Sequence, residues 1–152
     1  MPKPVLLILV VEAEPVIQEV VSEAFTGAGF DAQITAPGEE AVTLLQGDES
    51  KYRALVTDIH LRGKLNGWDV SRRARELVPD LPVVYMTASA GHEWPAQGVR
   101  NSVPCRSRSR PHRSLRRYLN CLTKYRRRTR KTAKLTASFI HTACATSLKR
   151  LH

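Results

Sequence analysis

Three apolar runs in this chain end in residues able to do chemistry. Asp58 closes Ala54-Leu55-Val56-Thr57-Asp58, Glu12 follows the run from Val5 to Val11, and Thr87 follows Val83-Val84-Tyr85-Met86. A short continuous apolar run bounded by turn residues reads as a strand buried on both faces, as in a parallel sheet. Ligands of such sheets bind at the carboxyl ends of the strands. An acid, an aspartate and a hydroxyl at three such ends converge on one edge, placed for chemistry rather than packing. The plainer reading of Asp58 alone is a helix N-cap or turn aspartate. The other two strand ends weigh against it.

The segments between the runs must position those residues. Pro15 can occupy the first turn of a helix, and Val16, Val20, Val21 and Phe25 recur at helical spacing before Gly27 and Gly29 stop it. Phe30 to Ile34 alternates and reads as a second strand. Pro37 opens a helix carrying Ala41, Val42, Leu44 and Leu45, closed near Gly47. A third helix is expected over Asn66 to Val78, with Trp68, Val70, Ala74 and Leu77 inward, and Pro79-Asp80-Leu81-Pro82 ends it. Strands alternating with helices imply right-handed βαβ units, a parallel sheet and helices on both faces.

In their order and separations, the three motifs resemble the receiver domain of two-component response regulators, over residues 4 to about 103. The resemblance implies a flavodoxin-like (βα)5 sheet of order 2-1-3-4-5, with its crevice between the first and third strands. It implies that Asp58 accepts a phosphoryl group from a histidine kinase or phosphotransfer protein. Thr87 matches the switch hydroxyl that turns toward the new phosphoryl oxygen. Glu12, Asp58 and the His60 backbone carbonyl match contacts to Mg²⁺. A carboxylate attacking a dianionic donor needs such a cation to offset charge, and Mg²⁺ takes one or two carboxylates with phosphate and water.

The chain also departs from the family pattern. Ala13 stands where the family has a second acid that touches the metal, so a weakened Mg²⁺ site is expected. Glu14, two residues beyond Glu12, is expected to point away from the pocket. Arg62 replaces a common proline, and Val103 an aromatic. A fifth strand should run into a Lys-Pro-Phe motif whose lysine pairs with the phosphoryl group; this chain reads Val103-Pro104-Cys105-Arg106-Ser107 instead. The fifth strand and last helix are therefore expected to be disrupted.

Composition changes at the same place. Residues 1–103 hold 9 basic and 14 acidic residues, a net −5, whereas residues 104–152 hold 15 Lys and Arg and no acid, a net +15. The genetic code offers a reason. Codons from Pro104 to Thr123, read from the third base of each into the first two of the next, permit Leu-Gln-Lys-Pro-Phe-Ala-Pro-Ala-Gln-Val-Val-Thr-Ala-Ile-Ser-Gln-Leu-Leu-Asn. That is a receiver ending, with its Lys-Pro-Phe motif and an amphipathic last helix. We read a shifted frame near Val103, from a mutation or a sequencing error, and a tail of unselected sequence. The division expected is a receiver over 1–103 and a basic, disordered tail over 104–152.

The tail's arginines, from Arg106 to the cluster Arg126-Arg127-Arg128-Thr129-Arg130-Lys131, also look like a nucleic-acid arm. Such an arm would bind non-specifically and lose affinity with salt. Cys105, Cys121 and Cys144 lack paired zinc-ligand spacing. Ser89, His92 and Glu93 lie in one loop without a nucleophile elbow. The run from Val5 to Val11 is too short to span a membrane, and the cysteines form no disulfide framework, so the cytoplasm is expected. The function expected is phosphorelay signalling rather than an enzyme's. Its alternatives are a pseudo-receiver that binds a partner without phosphorylation, and a nucleic-acid binder working through the tail.

Overall fold

The computed structural model describes residues 7–27, 29–87 and 90–106. Five strands form one parallel sheet of order β2-β1-β3-β4-β5, as expected. They are β1 (Leu7–Val11), β2 (Asp31–Thr35), β3 (Tyr52–Asp58), β4 (Val83–Thr87) and β5 (Val103–Arg106). Helix α1 (Pro15–Gly27) follows β1, α2 (Gly38–Gly47) follows β2, and α3 (Gly67–Leu77) follows β3. Between β4 and β5 lie a 3-10 turn, Ala90–His92, and a single helical turn, α4 (Trp94–Gln97).

The inner strands are buried on both faces along most of their length, so they carry continuous apolar runs instead of alternating, with exposed Arg53 near the start of β3 and polar residues at the strand ends. Leu9, Val10, Val11, Leu55, Val83, Val84 and Tyr85 are fully buried. On one face Ile8, Val10, Val56, Val84 and Met86 pack with Val21 and Phe25 of α1, and with Phe30. The Phe25 and Phe30 rings meet edge to face at 6.3 Å. On the other face Leu9, Val11, Leu55, Val83 and Tyr85 pack with Ala41 and Leu45 of α2 and with Trp68, Val70 and Ala74 of α3.

Helix α3 starts where its cap dictates. The Asn66 side chain accepts from Asp69 N at 3.0 Å, and the Asp69 carboxylate accepts from Asn66 N at 3.3 Å. That reciprocal pair satisfies two end groups no helical carbonyl can reach.

One helix residue departs from expectation. Val16 is 64% exposed rather than part of the inner face of α1. Five residues at about 100° each carry it roughly 140° round the helix from Val21. Glu14 is exposed, and its charge acts on both Glu12 and Asp58. The fifth strand pairs with β4 through Val84↔Val103 to Thr87↔Arg106. The last helix and the rest of the basic tail, residues 107–152, lie outside the described residues, as does Ser89.

Candidate functional site

Strand register brings the three chemistry-bearing residues to one edge. Val11 of β1 pairs with Thr57 of β3, so Glu12 and Asp58 are the next residues along neighbouring strands. Asp58 in turn pairs with Met86 of β4, and Thr87 comes one step later. The strand ends thus set Glu12, Asp58 and Thr87 side by side. On β5, Arg106 stands in register with Thr87.

The two acids sit where charge is costly. Glu12 is 1% exposed. Its Oε1 accepts from Glu14 N at 2.8 Å, and its backbone is tied to β2 through Glu12 N to Thr35 O at 3.0 Å. Burial pushes its carboxyl up from 4.5 to about 7, against the Glu14 N–H, and the charge of Asp58 adds to the rise. Asp58 is half-buried, and burial raises its carboxyl too, opposed by the backbone N–H groups of Ile59 and His60. Its Oδ1 accepts from Ile59 N at 2.7 Å. Ala13 is buried beside Glu12 and brings no third carboxylate.

Thr87 differs from its neighbours. Its Oγ1 is the buried side-chain polar atom left without a hydrogen-bond partner among the described residues. Such a group costs about 1–3 kcal/mol unless something satisfies it. A hydroxyl kept unpaired at a strand end is ready for an incoming acceptor oxygen.

Geometry around Asp58 also explains a glycine. A Cβ on Gly67 would lie 2.1 Å from Asp58 O, and Gly67 N donates to Ile59 O at 2.9 Å. Only glycine lets α3 begin so close to the end of β3.

His60 is exposed, two residues beyond Asp58, at the rim of a groove of about 380 Å³. Ile59, Trp68, Arg72, Glu93 and Gln97 line the groove with it. Arg72 bridges the walls, pairing with Asp69 at 2.9 Å and donating to Gln97 Oε1 at 2.7 Å. Among the described residues no three His, Cys, Asp or Glu side chains gather as a metal cluster. A cation here would have Glu12, Asp58 and a carbonyl.

Beneath the groove runs a buried polar relay that the sequence reading did not single out. The Trp68 and Tyr85 rings meet at 4.5 Å. Ser71 Oγ donates to Trp68 O at 2.8 Å, so at the 2.5 Å Ser71–Tyr85 contact the Tyr85 hydroxyl is the donor. Tyr85 then accepts from Val99 N at 3.2 Å. The one hint in the sequence is a serine on the inward stripe of α3.

Comparison with known proteins agrees with this arrangement. The family model of the response regulator receiver domain matches residues 8–101. The chain belongs to the response regulator receiver family. Response regulator SaeR of Staphylococcus aureus is 30% identical over 81 residues, covering 53% of this chain and 34% of SaeR. The chain thus spans about a third of the length of the curated relatives it matches. A response regulator receiver protein from Sinorhizobium medicae WSM419 superposes with a TM-score of 0.70 at 26% identity, over 82% of this chain and 99% of that one. The receiver domain of sensor histidine kinase PA1611 from Pseudomonas aeruginosa PAO1 shares the fold at a TM-score of 0.59 and 24% identity, over 75% and 97% of the two chains. That structure has a magnesium ion coordinated in its active-site cleft. Among the described residues of this receiver, no helix is long and apolar enough to cross a membrane.

Proposed function

We propose that this receiver takes a phosphoryl group onto Asp58 from the phosphohistidine of a histidine kinase or phosphotransfer protein. The observation that carries the reading is the convergence on adjacent strand ends of Glu12, Asp58 and a Thr87 hydroxyl that has no hydrogen-bond partner among the described residues. An Asp58 carboxylate oxygen attacks phosphorus as the P–N bond breaks. The electron pair returns to the imidazole nitrogen, which takes up a proton. Thr87 then donates its hydroxyl to a phosphoryl oxygen, satisfying the hydrogen bond it lacks at rest. That new bond biases the β4 end toward a second arrangement that a partner can read.

Mg²⁺ fits these residues. Two neighbouring acids, Glu12 buried and Asp58 half-buried, each made harder to ionise by loss of solvent, are what a cation would relieve. Glu12, Asp58 and the His60 backbone carbonyl would hold it, with water filling the remaining positions. It supplies positive charge against the approaching dianion. Ala13 leaves this site short of one acid, so weak binding and slow phosphorylation follow. Arg106, in register with Thr87, puts a basic residue type at the strand end where the family carries its lysine.

The receiver unit runs through β5 to Arg106, past the boundary at 103 expected from composition, and the basic segment beyond it supports only non-specific, salt-sensitive attraction to nucleic acid. Ala13 favours a second reading, a pseudo-receiver that binds its partner without phosphorylation. One experiment separates them. Incubation with a small phosphodonor and Mg²⁺ should add a single acid-labile phosphoryl group, absent in Asp58→Asn. Labelling that survives the substitution would sink the assignment of Asp58, and no labelling of the parent protein would favour the pseudo-receiver.

A further inference from the structure

The loop from Ile59 to Asn66 leaves the candidate site through His60 and is fastened at both ends. Near Asp58, Gly67 N donates to Ile59 O at 2.9 Å. At the far end the fastening comes from α2. The Glu39 Oε1 accepts from Lys64 N at 2.6 Å and from Leu65 N at 3.1 Å. These consecutive N–H groups follow Gly63, whose φ of +99° belongs to the left-handed region. Successive amides in such a turn form a concave anion cradle, and here a carboxylate of the same chain fills it. A Cβ on Gly63 would lie 2.5 Å from Glu39 Oε2, so glycine admits the carboxylate as well as the turn.

The ordinary reading of Glu39 is a first-turn acid of α2, favourable toward the helix dipole. Its bonds argue for more. Both donors lie some 25 residues further along the chain. The carboxyl is held below the usual range first by the backbone N–H of Glu39 itself and then by those of Lys64 and Leu65. A backbone bridge, Pro37 to Arg62, lies alongside, and Gly38 packs against Leu65 and Val70. The start of α2 and the far half of the loop are therefore locked together.

We propose that Glu39 is a positioning residue: its carboxylate clasps the loop and so sets the His60 carbonyl for a cation beside Asp58. The inference rests on the reading of Asp58 as the phosphoacceptor site. It has particular force in this chain, because Ala13 removes a carboxylate and leaves the carbonyl a larger share of the coordination.

The test uses the full chain without phosphodonor, so its failure is distinct from failure of Asp58 labelling. Amide exchange is read on metal-free protein, Mg²⁺ affinity by calorimetric titration, and folding by circular dichroism. In Glu39→Ala the Lys64 and Leu65 amides should exchange faster, and Mg²⁺ should bind about tenfold more weakly, the low end for outer-shell partners. Glu39→Gln keeps one acceptor oxygen and should fall between. Gly63→Ala expels the same carboxylate, so its loss of affinity should not add to that of Glu39→Ala. If Glu39→Ala fails to fold, Glu39→Gln and Gly63→Ala decide by the same readouts. Unchanged Mg²⁺ affinity in folded variants, additive losses, or no Mg²⁺ binding by the parent protein would each overturn the proposal.

Discussion

Replacing Glu12 by glutamine removes a buried charge while keeping the side chain's shape and an oxygen able to accept from Glu14 N. The carboxyl is raised from its ordinary 4.5 to about 7, first by burial and then by the Asp58 charge. The unfolded chain releases the proton near the ordinary value, so between about 4.5 and 7 the folded protein holds more protons than the unfolded one. Stability from this group is therefore fullest at low pH and lost as pH rises through about 7. A gap from 4.5 to about 7 corresponds to ~3 kcal/mol, which relaxation and water entry trim to roughly 1–3 kcal/mol. Urea unfolding with chelator present, from pH 5 to 8, is the assay. The two proteins should be nearly equal at pH 5, with Glu12→Gln more stable by that margin at pH 8. Asp58 is also raised but remains in both proteins, so the difference curve isolates Glu12 and its repulsion with Asp58. Saturating Mg²⁺ should narrow the gap, because it favours the ionised acid. Parallel pH profiles for the two proteins would refute the claim that Glu12 is buried against its own charge.

Gly67→Ala forces a methyl to within 2.1 Å of Asp58 O, so chemical denaturation should show a loss of about 2 kcal/mol or more, with slower labelling of Asp58. Tyr85→Phe leaves Ser71 Oγ and Val99 N short of a partner and should cost about 1–3 kcal/mol, with faster exchange of the Val99 amide. Ala13→Asp should tighten Mg²⁺ binding in titration and destabilise the metal-free protein, since it buries a further carboxylate beside Glu12.

Much of the fold was legible because burial leaves a local pattern. Strands covered on both faces carry continuous apolar runs, and Leu7–Val11, Ala54 to Val56 within Tyr52–Asp58, and Val83 to Met86 within Val83–Thr87 stand out for that reason. The same runs marked Glu12, Asp58 and Thr87, since a polar residue ending a buried apolar run has no packing role that an apolar residue would not fill better. Helix α3 was legible from the spacing of Trp68, Val70, Ala74 and Leu77, and its Asn66–Asp69 capping pair, only three residues apart, is a further local signal that the structure shows in use. The family resemblance supplied the strand order, which periodicity alone leaves open.

What the tertiary structure decided are contacts made across long separations. Val16 has the hydrophobicity of a core residue, but the orientation of α1 turns it to solvent. Gly67 reads as a turn glycine, and only the placement of α3 against the end of β3 makes it a steric necessity. Tyr85 and Ser71 meet because β4 and α3 share a face of the sheet. Glu39 looks like any first-turn acid until α2 is set against the β3–α3 loop, where two distant amides find its carboxylate. The chain's local pattern determined which segments form strands and helices and most of the residues that they bury. Partners brought together by packing leave no such pattern, because their geometry exists only after the helices have docked on the sheet.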